Sequence, residues 1–325
     1  RASSTSRGLG DVYKRQMSAL LGATADQKDY EKYLKALGAA DGSDKVFAVS
    51  AYCPITDLDH ADMAYEWQFN GVNDYKKMNI SMLDYRVKRE LVAGTLTDDE
   101  KKLSDLLKPL YPAYLNSLNL KSPEGKPLTL DAQGNGSFKN HIAGLLAQSA
   151  QTQLDAGKDL SDRTWLTVRN GKVVSVDFDA YAKAAGRQKT PPAFDGVDLS
   201  AGENQLFGTE KVDKRHFTAF SMQHNTAANA EIADEETIKI MNPLNYIGKP
   251  GVNLPQNWRI RVGTNDRDTS LAVSAVLAAK LQNNGQTVDY ALPWDVEHGG
   301  DYDLDELFAW ICLLYTSPSP RDVEE

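Results

Sequence analysis

Cysteine is scarce in this sequence: two residues, Cys53 and Cys312, among 325. Cys312 falls in a terminal stretch set aside below, and a lone thiol closes no internal disulfide, so cysteine content selects no redox compartment. Positive charge is also short. Lys and Arg total 36 against 45 Asp and Glu, a net charge of -9, and an acidic chain has little attraction for a phosphate backbone, which excludes nucleic acid as the expected partner. No apolar run is long enough to cross a bilayer, so no membrane partner is expected and localisation is left unassigned. Four of the five histidines, His60, His141, His216 and His224, show no ligand-like spacing and read as structural or surface residues. Neither a metal site nor a cofactor is expected. The pattern Gly-x-Ser-x-Gly, which places a serine on a tight turn between strand and helix, occurs nowhere.

Two terminal stretches do not read as native protein. Residues 6–16, SRGLGDVYKRQ, and residues 312–321, CLLYTSPSPR, can be encoded by the two strands of one oligonucleotide, read one base out of phase. Protein evolution has no ready route to such complementarity, whereas a sequencing adaptor translated in frame gives it directly. Residues 1–16 and 312–325 are therefore expected to be adaptor-derived, and fold reasoning is confined to 17–311. That span is long enough for a large core and an inserted region.

Within it, the order of helix and strand signals is informative. Met17 to Thr24 is small, apolar and helix-favouring, and Tyr30 to Leu37 continues with helical spacing after a polar break. Val46 to Tyr52 is a short apolar run that ends at Cys53-Pro54, a buried-strand signal. Trp258 to Val262 and Val288 to Leu292 are two more strand candidates, and Leu271 to Leu281 between them is a strong helix. Strand, helix, strand with short connections predicts a parallel sheet and an α/β fold.

The middle of the chain has a different texture. Tyr85 to Val92 and Asp98 to Leu107 read as charged amphipathic helices, and Trp165 to Val176 carries Asn170-Gly171 between alternating apolar residues, a hairpin signal. The expected organisation is a core in two parts, 17–70 and 251–311, interrupted by a mixed helical and hairpin lid at 71–250. No fixed period recurs, which excludes a solenoid.

The chemistry concentrates near the C-terminal end. VGTNDRDTS (262–270) follows one strand and puts Asp266 at the carboxyl edge of the sheet; PWDVEHGGDYD (293–303) follows the next and puts His298 at the same edge. An acid after one strand and a histidine after the next matches the order serine, aspartate, histidine of the α/β-hydrolases. The carboxylate would hold the imidazole tautomer and stabilise its cation while the other ring nitrogen takes a serine proton. Alone, Asp266 reads as a turn residue and His298 as a structural one; their order and the flanking glycines favour catalysis. The helix at Met17 followed by the strand at Val46 is what should follow a nucleophile elbow, so the elbow and the first strands are expected upstream of Met17.

A family resemblance covers nearly all of 17–311. The segments MSALLGATADQKDYEKYLKALGA (17–39), AYCPITDLDHADMAYEWQFN (51–70), RVGTNDRDTS (261–270) and HGGDYDLDELFAW (298–310) resemble the single-chain bacterial tannases. The resemblance implies an α/β-hydrolase whose serine precedes the segment matching Met17, with triad acid and base at Asp266 and His298. It also implies that Lys189, Glu203 and Asp268 grip galloyl hydroxyls, and that a small phenolic ester is the substrate. A second class of tannases and feruloyl esterases joins cysteines beside its serine and histidine; Glu297 precedes His298 here, so that pattern does not fit. A ring with several hydroxyls on one edge suits a buried site of charged groups, because ligands lacking those hydroxyls leave the site's polar groups unpaired. Without the resemblance, Lys189 and Glu203 read as solvated surface charges and Asp268 as a helix cap. A feruloyl or general carboxylesterase, an α/β-hydrolase peptidase and a non-catalytic phenol-binding protein are the alternative readings.

Overall fold

The computed structural model describes residues 17–83 and 86–316, with the side chains of 17–78 and 90–314. Three parallel strands form its central sheet, β1 (Ala48–Tyr52), β6 (Asn257–Arg261) and β7 (Thr287–Ala291), in the order β1-β6-β7. Val49 is opposite Trp258, and Trp258 opposite Val288. The strands that the sequence predicts are therefore neighbours as expected. Alternation splits the sheet into two unlike faces. Val49, Ala51, Trp258 and Ile260 belong to the hydrophobic core. The opposite set includes Tyr52, Arg259 and Arg261, and Arg259 is fully buried. Asp303 holds Arg259, accepts from the Tyr52 hydroxyl and lies 3.7 Å from Arg261 Nε. Sequence reading takes β1 as a buried strand of an apolar sheet; the sheet's second face instead carries the paired charges of Arg259, Arg261 and Asp303.

Helix α1, residues 17–24, packs on the apolar face. A Cβ at Gly22 would come within 2.4 Å of Val49 Cγ2 and 2.9 Å of the Trp258 ring, so only glycine permits that approach. A short helix α2 (Glu31–Ala36) precedes β1, and α3 (Leu58–Phe69) follows it. Between β6 and β7 runs α11 (Leu271–Asn283), buried on almost every side and packed on α3 and β7. Its N-cap Ser270 accepts from Ala272 N. The last described element is α12 (Leu304–Thr316), which runs across position 312 without a break.

After α3 the chain makes the hairpin β2 (Asp74–Leu83) and β3 (Arg86–Thr95), paired from Asp74 with Thr95 to Leu83 with Arg86. The helix expected over Tyr85–Val92 is thus a strand over its described part. Leu91 and Val92 are 49% and 45% exposed, so no core recruits an apolar helical stripe there. A partner strand earlier in sequence satisfies the backbone instead, and local spacing does not reveal it. The next expected helix does form, as α4 (Asp98–Leu107), closed by a reciprocal Thr97/Glu100 capping box. Then come α5 (Tyr111–Ser117), α6 (Ser137–Asp155), the hairpin β4 (Leu166–Arg169) with β5 (Lys172–Val176), and α7 (Phe178–Ala185). Asn170 and Gly171 turn that hairpin with φ of 50° and 72°, as their dipeptide predicts. Beyond α7, short helices α8 (Glu203–Leu206), α9 (Ala219–Gln223) and α10 (Glu235–Ile240) alternate with turns. Trp67 of α3 ties this region down, its ring 5.5 Å from Tyr111, 5.8 Å from Phe138 and 5.2 Å from Phe178.

Candidate active site

The carboxyl ends of β1, β6 and β7 converge on one small site. After β6 the chain passes Gly263, whose position admits no side chain: a Cβ there would lie 1.9 Å from the carbonyl oxygen of Val296. That contact lets the loops after β6 and β7 run side by side, bonded through Thr264 N to Pro293 O (2.9 Å) and Asn265 N to Val296 O (3.0 Å). Arg267 and Glu297 brace the same two loops with a 2.8 Å pair.

Asp266 and His298 meet there as the sequence predicts. His298 Nδ1 is 2.9 Å from Asp266 Oδ2, and Asp266 is fully buried. The other carboxylate oxygen accepts from Asp268 N (2.9 Å) and Thr269 N (3.4 Å). Burial opposes an ionised Asp266, but the His298 imidazole, with lesser help from Cys53 and the Asp268 N–H, outweighs it and holds the carboxyl below its usual value. Burial likewise opposes a charged His298, while Asp266 raises its pKa well above the usual 6.5. His298 Nε2 is buried and has no hydrogen-bond partner among the described residues.

Lys189, Glu203 and Asp268 also come together, although 79 positions of sequence separate Lys189 from Asp268. Lys189 Nζ lies 3.3 Å from Glu203 Oε1 and 3.5 Å from Asp268 Oδ2, and Asp268 Oδ2 lies 3.8 Å from His298 Nε2. The five residues singled out by sequence thus form one run of contacts, from Glu203 through Lys189, Asp268 and His298 to Asp266. Burial works against the Lys189 ammonium; the carboxylates of Asp268 and Glu203 reverse that and raise its pKa. The ring of Phe194 lies beneath it, 4.1 Å from Nζ to the centroid. A cavity of about 770 Å³ adjoins Lys189 and Glu203 along Thr190, Pro191 and Pro192. Neither His298 nor Asp266 lines it.

Sequence reasoning missed several residues here. Cys53 follows β1 in a left-handed conformation (φ 46°), and its Sγ lies within 4.8 Å of ligand atoms of Asp266 and His298. Burial, then the Asp266 charge, pushes this thiol up, away from the reactive thiolate. Tyr65 is the second omission: a tyrosine on a helix buried almost all round must find a partner for its hydroxyl, and that demand is the only signal the sequence offered. Elsewhere Asp57, Asp59 and His60 cluster through His60 Nδ1, 2.9 Å from Asp57 and 3.5 Å from Asp59, with Asn242 Nδ2 donating to both carboxylates. His216 is buried against Asp195 at 2.7 Å.

No protein-family model matches the sequence, and no curated protein matches it. Among solved structures, a tannase from Lactobacillus plantarum superposes with a TM-score of 0.89 at 45% identity, over 92% of this chain and 64% of its own. A Fusobacterium nucleatum tannase gives 0.87 at 46% identity, over 94% and 66%. A tannin acyl hydrolase in complex with ethyl gallate gives 0.85 at 45% identity, over 92% and 63%. The chain therefore spans about two thirds or a little less of each of these structures. Over that span, in fold and in sequence together, it is a relative of the bacterial tannases.

Proposed function

We propose that this chain carries the acid, the base and the acyl-recognition residues of a serine carboxylic ester hydrolase acting on galloyl esters. The observation that carries the reading is the unbroken run of contacts, 2.9 to 3.8 Å, from Glu203 to Asp266. A relative solved with ethyl gallate supports the choice of ester. In this reading the neutral imidazole of His298, the form populated as pH rises through its raised pKa, accepts at Nε2 the proton of a serine hydroxyl as the serine attacks the ester carbonyl, and Asp266 stabilises the imidazolium that forms. His298 then returns the proton to the departing alcohol, and water releases the acid in a second round of the same proton transfers.

The serine is assigned to a Gly-x-Ser-x-Gly segment outside this sequence, because the motif is absent here and Cys53 holds a disfavoured thiolate. Lys189, Glu203 and Asp268 are assigned to the ring hydroxyls. In the structure they pair with one another, and a polyhydroxylated ring would exchange those contacts for charge-assisted hydrogen bonds, which a bare phenyl ring cannot supply. Residues 71–250 are assigned as the lid over this pocket, since they contribute Lys189 and Glu203.

The test is hydrolysis of methyl gallate and methyl benzoate by the chain joined to an upstream Gly-x-Ser-x-Gly segment from a tannase. Serine-dependent turnover that favours the gallate supports the reading. Equal turnover of the two esters would point to a general carboxylesterase, and gallate binding without turnover to a non-catalytic phenol-binding protein.

A further inference from the structure

Tyr65, in the third turn of α3, joins the two halves of the proposed pocket, beside a bond from Gln188 Nε2 to Asp268 Oδ1 (3.3 Å). Its side chain is fully buried, with the ring 4.7 Å from that of Phe69 and 6.1 Å, edge on, from that of Phe194. Its hydroxyl donates to the carbonyl of Arg267 (2.7 Å) and accepts from the backbone N–H groups of Gln188 and Lys189 (3.0 Å each). A phenol has one proton and two lone pairs, so this oxygen has no capacity left for another partner. Arg267 lies between Asp266 and Asp268, and Lys189 carries the ammonium that pairs with Asp268. One oxygen atom therefore binds the acid-bearing loop and the lysine-bearing segment together.

The neighbours of Tyr65 on α3 hold the same segment on either side. Glu66 binds the buried guanidinium of Arg187, whose Nε donates to the Lys189 carbonyl at 2.9 Å. Asp62 accepts from Phe194 N (2.6 Å) and Asp195 N (3.2 Å). The backbone of 187–195 is thus fixed to one helix at three levels, and only the middle one also reaches the catalytic loop. Lys189 Nζ sits over Phe194, which packs on the Tyr65 ring, so the side chain of Lys189 depends on the same support as its backbone.

We infer that Tyr65 is a positioning residue: its hydroxyl sets the spacing between Lys189 and Asp268, and with it the preference for polyhydroxylated aromatic acids. This rests on the acyl-pocket reading above. The 3.5 Å gap between Lys189 and Asp268 is short enough that a small shift of either loop changes what bridges it. Removing the hydroxyl leaves two partly buried N–H groups and one carbonyl without this partner, a loss that the two loops relieve by moving apart.

The experiment uses the full chain, with gallic acid and benzoic acid titrated by calorimetry into wild type and Tyr65→Phe. In wild type, gallic acid binds more tightly than benzoic acid. Tyr65→Phe weakens gallic acid by about tenfold or more, and weakens benzoic acid much less, so the selectivity narrows. Unchanged gallate affinity, or equal weakening of both acids, overturns the positioning role and leaves the pocket reading intact. A wild type with no preference for gallic acid overturns the pocket reading and the inference with it. Amide hydrogen exchange in wild type supplies an arm that needs no variant. Gallic acid should slow exchange at Gln188 and Lys189, and exchange there that ignores bound gallic acid would overturn the proposal.

Discussion

His298 and Asp266 come from loops after different strands, yet Nδ1 and Oδ2 stand 2.9 Å apart with the carboxylate sealed from solvent. Ionised Asp266 favours charged His298 and the reverse, so the pair raises one pKa and lowers the other. The sign of the linkage follows. Stability from the raised histidine is complete below about pH 6.5 and drains away as pH rises through the raised value. Stability from the lowered carboxyl is present above its ordinary value of 3.8 and is lost as pH falls through the lowered one. Asp266→Asn removes the charge that opposes burial, so the His298 pKa should fall. Proton NMR titration of the His298 ring in both proteins checks this, and an unmoved pKa would contradict the pairing.

Glu203→Ala should distinguish recognition from support. In an active protein carrying the upstream serine segment, kcat/KM for methyl gallate should drop by about 10-fold to 100-fold, the range expected when charge-assisted hydrogen bonds of 1.5–3 kcal/mol are lost. Methyl benzoate, with no hydroxyl to hold, should be nearly unaffected. Equal losses on both esters would assign Glu203 to the fold instead.

Gly263→Ala tests the close approach of the two site loops. The added methyl would collide with the Val296 backbone, which has no flexible end to yield. We expect a loss of about 1–3 kcal/mol, as for other overpacked positions, measured as a lower midpoint in urea unfolding. An unchanged midpoint would mean that the loops separate freely.

Much of this site was legible in the sequence because its logic is local. A strand, an acid, a helix, a strand and a histidine occur in order within residues 258–298, and parallel connectivity brings the two loops to one edge. Asn170-Gly171 announced its hairpin for a similar reason, since the turn is encoded in two adjacent residues. Lys189 and Glu203 carry no such local mark, and only family resemblance singled them out. What sequence reading missed depends on distant pairing. Arg86–Thr95 is a strand because Asp74–Leu83 pairs with it, and Arg259 is buried in the sheet because Asp303 comes to meet it. Tyr65 belongs to the same class, for its three partners lie more than a hundred positions away in sequence.

The buried pair of Arg187 with Glu66 gives a prediction on stability. Both side chains are fully shielded from solvent, so Glu66→Gln leaves an uncompensated guanidinium, at a cost of about 3–5 kcal/mol. Urea unfolding again provides the measurement. A loss below about 1 kcal/mol would show that the Phe69, Val72 and Lys189 carbonyls alone satisfy Arg187.

The most direct test of the whole account is release of gallic acid from methyl gallate by the chain joined to an upstream Gly-x-Ser-x-Gly segment, compared with its His298→Ala variant. The account predicts steady turnover in the first and a loss of about 10³-fold or more in the second, since His298 is the sole proposed base. Turnover that survives His298→Ala undiminished would contradict it.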